Sequence, residues 1–305
     1  MKKRMILLTL LTFLLLVFAA ASSYFFYVAQ IRSEKAFINH KPRTPDNALY
    51  HREKQFEKLP KEKRYLTHQG LKQVAWYVPA AKPSSKTVIA VHGFANSKAN
   101  MKPYADLFHE LGYNVLIPDN IAHGNSQGKV IGYGWKDKDN IIQWTKTLLN
   151  DNPKQTITLF GVSMGGATVM MASGEKLPKQ VTTIIEDCGY SSVWEELAHQ
   201  AKEMYGLPAF PILYGVSGLS KVAAGFTYAE ASSVKQLAKN HLPTLFIHGD
   251  ADTFVPTKMV YANYAASQGP KELYLVKGAK HAKSFEQNPV VYQEKIASFL
   301  KKYQK

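Results

Sequence analysis

The sequence predicts an α/β fold: a mostly parallel central sheet with helices on both faces and a helical cap insertion, preceded by an N-terminal transmembrane helix. Three observations carry this. From Lys72 onward, short β-rich runs alternate with stretches of helical spacing, the order that strand–helix–strand crossovers require. Several of the runs are continuously apolar, such as Val88-Ile89-Ala90-Val91 and Thr244-Leu245-Phe246-Ile247, as expected of strands covered on both faces. Ahead of them, an apolar run from Met5 to about Ala21 resumes after Ser22 and Ser23 through Tyr24 to Ala29. At about 25 residues it is long enough to cross a bilayer as a helix.

The N-terminal run follows Met1-Lys2-Lys3-Arg4, and the charge cluster should hold the N-terminus on the cytoplasmic side, leaving the bulk of the chain outside. A cleavable signal needs an apolar core of only about 7–15 residues and a small-residue site, which Ala19-Ala20-Ala21 would supply. The full length of the run, and the aromatic cluster at its far end, favour an uncleaved anchor over residues 1–30. Release as a secreted protein after cleavage is the alternative. Residues 31–64 are polar and charged, with Pro42, Pro45 and Pro60, and read as a juxtamembrane stalk with room for a short helix. The globular domain is expected over 65–305.

Within that domain the strands are expected at 72–78, 87–91, 114–117, 156–160, 181–185, 244–247 and 272–276. Helical spacing lies between them at 101–111, 138–149, 165–173, 259–267 and 289–303. The stretch 190–240 breaks the rhythm. It holds no convincing strand but carries Trp194, Met204, Leu207, Phe210 and Leu213, and is expected to form the cap over the sheet's C-terminal edge, where open α/β sheets bind ligands.

Composition narrows the class. Of 305 residues, 46% are apolar and 12% aromatic, enough for a large core, and no repeat or low-complexity tract appears. The formal charge of +15 raises nucleic-acid binding as a reading. No zinc-ligand spacing, ribonucleoprotein-like strand or compact basic helix accompanies it, so a basic surface facing an anionic envelope or membrane accounts for it better. The one cysteine, Cys188, rules out an intramolecular disulfide and reads as a small buried hydrophobe at a strand end.

The chemistry is concentrated in three loops. Gly161-Val162-Ser163-Met164-Gly165 follows an apolar strand and opens a small-residue helix, the setting in which a strained turn pushes a serine hydroxyl out of a sheet. Such a serine needs a base, and the base an orienting carboxylate. Asp252 follows the strand 244–247, with Asp250 two positions away. His281 follows the last strand. All three therefore emerge at one edge of the sheet, with Ser163 as nucleophile, Asp252 as acid and His281 as base. Backbone N–H groups of Met164 and of Phe94, in the loop after the 87–91 strand, are the candidates for stabilising a tetrahedral oxyanion. His92 and His123 fit loop-shaping roles.

These residues together resemble the α/β-hydrolase superfamily over about Tyr65 to Tyr303, and within it the bacterial serine aminopeptidase-like or prolyl-oligopeptidase-like hydrolases that often carry a membrane anchor. The motifs are His92-Gly93, the Asp119…His123-Gly124 turn, the Ser163 elbow, the Asp252 loop and His281. Gly132-Tyr133-Gly134-Trp135 ahead of Asp137 and Asp139 is similar too, as is Ala224-Gly225-Phe226 ahead of Ala231-Ser232. Asn120-Ile121-Ala122 stands where many relatives carry an arginine. The resemblance implies an α/β-hydrolase fold and a serine hydrolase acting through an acyl-enzyme. The preferred reading is a carboxylesterase acting on a small-molecule ester. A peptidase on short peptides, with Glu195 or Glu196 holding a substrate ammonium, is an alternative, as are a non-hydrolytic acyltransferase and a binding scaffold. No metal or organic cofactor is indicated, and the expected partners are the substrate and, through the N-terminal helix, a membrane.

Overall fold

The computed structural model describes residues 1–35 and 42–304. Among them, β1 (Glu62–His68), β2 (Leu71–Val78), β3 (Lys86–Val91), β4 (Asn114–Pro118), β5 (Thr156–Val162), β6 (Val181–Asp187), β7 (Thr244–Gly249) and β8 (Lys271–Val276) form one eight-stranded sheet in the order β1-β2-β4-β3-β5-β6-β7-β8. The pairs from β4 to β8 are parallel, while β1–β2 and β2–β4 are antiparallel. Each expected strand is present. One unexpected strand, β1, forms a hairpin with β2 through Gln69-Gly70, both at positive φ (50° and 74°), the two-residue turn whose twist matches a hairpin. Its Glu-Lys-Arg start is charged, which blunts this outer edge against further pairing.

The helices are α1 (Lys2–Gln30), α2 (Tyr50–Lys58), α3 (Lys102–Glu110), α4 (Asp137–Asp151), α5 (Met164–Ser173), α6 (Val193–Tyr205), α7 (Ile212–Ala224), α8 (Ser233–Leu237), α9 (Lys258–Ala266), α10 (Ser284–Gln287) and α11 (Pro289–Tyr303). Strand residues alternate between two cores. Val88, Ala90 and Phe160 pack with Phe108 of α3 and with Tyr292 and Phe299 of α11. Ile89, Val91 and Leu159 pack on the other face with Trp144 of α4 and Val169 of α5. Continuous apolar runs are what a sheet needs when both faces are covered.

Residues 31–64, expected as a stalk, are partly folded onto the domain, and the portion 36–41 lies outside the described residues. Helix α2 buries Phe56 completely in the same core as Phe108, because an otherwise polar helix has one large apolar residue to cover. Within the segment 190–240, α6 and α7 lie over the sheet edge. The short α8 instead joins α5 and α9, its Leu237 buried with Met170, Phe246 and Val260.

Candidate active site

Ser163 occupies the turn between β5 and α5 at φ 58° and ψ −119°, a backbone conformation that L residues with a Cβ rarely adopt. Such an angle costs about 1–3 kcal/mol and persists only where surrounding packing over-determines it. Here the packing is a close crossing of backbones. A Cβ at Gly161 would collide with the carbonyl of Gly165, and one at Gly165 with the carbonyl of Val91. The Ser163 N–H donates to the Asp187 carbonyl at 2.8 Å, tying the turn to the neighbouring strand.

The structure brings Ser163, Asp252 and His281 together. The Nε2 of His281 lies 2.9 Å from Ser163 Oγ, and its Nδ1 lies 2.8 Å from Asp252 Oδ2. With the ring proton on Nδ1 shared with the carboxylate, Nε2 is left to accept the serine proton. Asp252 is buried, and its Oδ1 accepts the N–H groups of Phe254 and Val255, each at 2.9 Å. Burial opposes its charge, but hydrogen bonds from His248 and His281 outweigh that, and its pKa is lowered to about 2. Asp250 is exposed and accepts the Gly278 N–H at 2.6 Å, a loop-tying role.

Met164 is the first residue of α5, so its N–H belongs to the helix turn that has no intrahelical acceptor. Phe94 lines the same pocket as Ser163, and its ring stacks on Tyr133 at a centroid distance of 5.5 Å. His92 and His123 staple the loops beneath. His92 Nε2 accepts the Asn120 N–H at 3.0 Å, and His123 Nε2 accepts that of Ala95 at 3.1 Å. Burial lowers both pKa values, that of His123 to about 3, so each ring is a neutral acceptor. The Asp119 carboxylate is paired with the buried ammonium of Lys98, which arrives from the loop after β3.

Cys188, Asp252 and His281 offer atoms within 4.8 Å of one another, a spacing a metal ion would accept. Two of the three are already joined by their own hydrogen bond. Burial pushes the Cys188 thiol well above its ordinary value, against thiolate ligation.

His248 and the part played by α1 were not legible in the chain order, and the cap lining was legible only in part. His248, at the end of β7, sits 3.4 Å from Asp252 Oδ2 and donates to the Val255 carbonyl at 2.9 Å. The pocket above Ser163 takes Leu197, Met204, Leu207 and Leu213 from the cap, whereas Trp194 and Phe210 pack edge-on against Tyr214 outside it. Besides Phe94, Tyr133, Tyr190, Phe254 and Val255 of the main domain, α1 contributes a wall through Phe25, Val28 and Ala29. In the sequence the aromatic cluster at the end of that run read only as a membrane-interface feature.

The structure also separates Glu195 from Glu196. Glu195 is exposed and accepts a hydrogen bond from Ser191 Oγ. Glu196 lines the pocket, buried, with Oε1 accepting from Gln200 at 2.9 Å and Oε2 without a hydrogen-bond partner. Burial raises its pKa to about 8. Between about 4.5, the ordinary value, and about 8 the folded chain thus holds a proton that the unfolded chain has lost, so stability falls as pH rises through this window. Glu196→Gln stays neutral throughout. Its stability should decline less steeply there than the wild type's, by up to ~1.4 kcal/mol per pH unit, with the two converging near pH 4.5. Urea melts from pH 5 to 9 check this; parallel slopes would contradict it.

Residues 82–207 match the family model described as "Serine aminopeptidase, S33". That span runs from just before β3 into the cap and includes the Ser163 turn, but neither Asp252 nor His281. A Bacillus subtilis protein, the uncharacterized YqkD, is 30% identical over 246 residues, covering 80% of this chain and 81% of its own. Among solved structures, the Pyrococcus furiosus esterase Pf2001 superposes with a TM-score of 0.67 at 23% identity, over 87% of this chain and 97% of its own. The Pyrococcus horikoshii acylaminoacyl peptidase does so with a TM-score of 0.61 at 17% identity, over 81% of this chain and 42% of its own. At these identities the structural likeness speaks for the fold alone.

Proposed function

Because the chain belongs to the serine aminopeptidase S33 family of α/β-hydrolases, we propose that it is a serine esterase cleaving carboxylic esters that carry an apolar acyl group. The observation that carries this reading is the placement of the Ser163 hydroxyl, within 2.9 Å of an imidazole, at the floor of a pocket walled almost entirely by apolar side chains. Ser163 Oγ attacks the ester carbonyl while His281 Nε2 takes its proton. The imidazolium that forms is stabilised by the Asp252 carboxylate, and the oxyanion by the backbone N–H groups of Met164 and Phe94. The alcohol leaves with the proton from His281. Water then attacks the acyl-enzyme, with His281 again as base, and the acid is released.

A second reading has its own support. The buried, unpartnered oxygen of Glu196 is a group that a substrate ammonium would satisfy, in the manner of a peptidase gripping an N-terminus. An ammonium brought beside it would draw the carboxyl back toward its charged form. The long apolar helix α1 supports attachment to the cell membrane with the domain outside, since its basic residues precede the apolar span.

A panel of nitrophenyl esters and amino-acid anilides, run on both membrane fraction and medium, tests these readings together. Ester turnover confined to the membrane fraction is the expected result. Preference for anilides would favour the peptidase. Activity in the medium from a chain starting near Ser22 would mean that the helix is cleaved.

A further inference from the structure

Helix α1 has two unlike halves. From Met5 to Val17 every residue is exposed; from Phe18 onward one face meets the domain, through Phe18, Ser22, Phe25 and Ala29 at the spacing of one helical stripe. The crossing is close. A Cβ at Gly215 of α7 would collide with Ser22 Oγ and with the Phe18 ring. The end of the helix is fixed by a buried polar hub. Gln30 Nε2 donates to the Ile131 carbonyl at 3.0 Å and to Ser220 Oγ at 3.1 Å, and Gln30 Oε1 accepts from Tyr228 at 2.9 Å. The Ala29 carbonyl accepts from the Tyr133 hydroxyl at 2.6 Å.

The bare half is too short to span a membrane unaided. At 1.5 Å per residue it covers about 20 Å of a hydrocarbon layer about 30 Å thick. The missing length falls on the next two turns, Phe18 to Tyr24, which already lie against the cap. The outer boundary of the bilayer is thereby set near Phe25, where α1 becomes a pocket wall. The cap surface beside it suits that depth. Phe210 and Tyr214 are 71% and 59% exposed, and Met204 and Tyr205, which belong to the pocket lining, are 41% and 42% exposed and so stand at its rim. The Tyr205 ring packs edge-on against Phe25 at 5.1 Å.

We propose that the last two turns of α1 are a specificity-determining wall of the pocket, and that the substrate is a single-chain acyl ester drawn from the bilayer through the rim between α1 and the cap. The proposal rests on the esterase reading and deepens it. An acyl chain in the outer leaflet meets the rim at its own depth. It slides along Phe25 and Val28 toward Ser163, with its polar end trailing toward water. The transfer is from one apolar medium to another, so the chain need never cross the aqueous phase.

The test uses the full-length protein in phosphatidylethanolamine–phosphatidylglycerol nanodiscs. The readouts are kcat/KM for nitrophenyl esters from acetate to palmitate, and hydrolysis of monooleoylglycerol carried in the disc. Wild type should prefer long chains and hydrolyse the monooleoylglycerol. Val28→Trp narrows the wall and should lower the dodecanoate-to-acetate ratio by at least about tenfold, the discrimination a pocket exerts over a methylene or two. Phe25→Ala removes a ring from the same wall and should move the chain-length optimum. The proposal is overturned if both variants keep the wild-type ratio and optimum, or if wild type cleaves acetate but neither dodecanoate nor monooleoylglycerol. Absence of all ester turnover together with absence of fluorophosphonate labelling would instead remove the esterase reading on which it rests.

Discussion

Ser163→Ala is expected to lower ester turnover by at least ~10³-fold, roughly 4 kcal/mol of barrier, and to abolish labelling by a fluorophosphonate. The expectation follows from position as much as from chemistry. The hydroxyl lies 2.9 Å from His281 Nε2 and is presented by a strained backbone angle that the packed glycine turn holds in place. Replacing the hydroxyl by hydrogen removes the nucleophile without touching the glycines that shape the turn, so the fold should survive and melting should shift by little. Alanine also inherits the backbone strain, which keeps the comparison clean. A variant that is still labelled at the wild-type rate would move the nucleophile elsewhere.

Asp252→Asn should cost about as much, ~10³–10⁴-fold in kcat, whereas Asp250→Asn should stay within severalfold of wild type. The amide NH2 at position 252 would face the histidine as a donor and force the other tautomer, placing a hydrogen on the nitrogen that should accept the serine proton. At position 250 the amide oxygen can still accept the Gly278 N–H, so the loop keeps its tie. Steady-state kinetics on the two variants decides the assignment, and the reverse ranking would give the acid role to Asp250.

The sheet was legible because two-sided burial writes itself as unbroken apolar runs, and β3, β5 and β7 carry them openly. Strand β1 was not, because an edge strand with Glu62, Lys63 and Arg64 has the composition of a linker. Only the Gln69-Gly70 turn marks it, and a Gln-Gly pair is a weaker signal than Asn-Gly. Helix α2 could be anticipated only as an unplaced short helix in the stalk, since a single buried Phe56 gives no periodicity to fix its bounds. The grouping of Ser163, Asp252 and His281 could be anticipated because each lies just beyond a strand end, and a parallel sheet gathers those ends on one edge. His248 could not be singled out, as nothing in the residue itself tells which face of a strand end it occupies. The pocket's composition was half legible. Cap residues announced themselves as large apolar groups without a strand, but those of α1 were already explained by the need to cross a membrane, and one sufficient explanation masks a second.

Gln30 and its partners are far apart along the chain: 101 residues to Ile131, 190 to Ser220 and 198 to Tyr228. Such contacts form late, since the loops they close are long. Helix α1 is thus expected to dock later than the elements whose contacts are local. If α1 is held in a membrane, as proposed, it waits in the lipid while the 198 residues up to Tyr228 emerge beyond it. Docking of the cap onto that helix would complete the pocket, since Phe25, Val28 and Ala29 belong to its lining. Maturation of the enzyme would then be an assembly event at the membrane surface, and a folded domain kept from its helix would retain its catalytic groups but lack one side of the chamber above them.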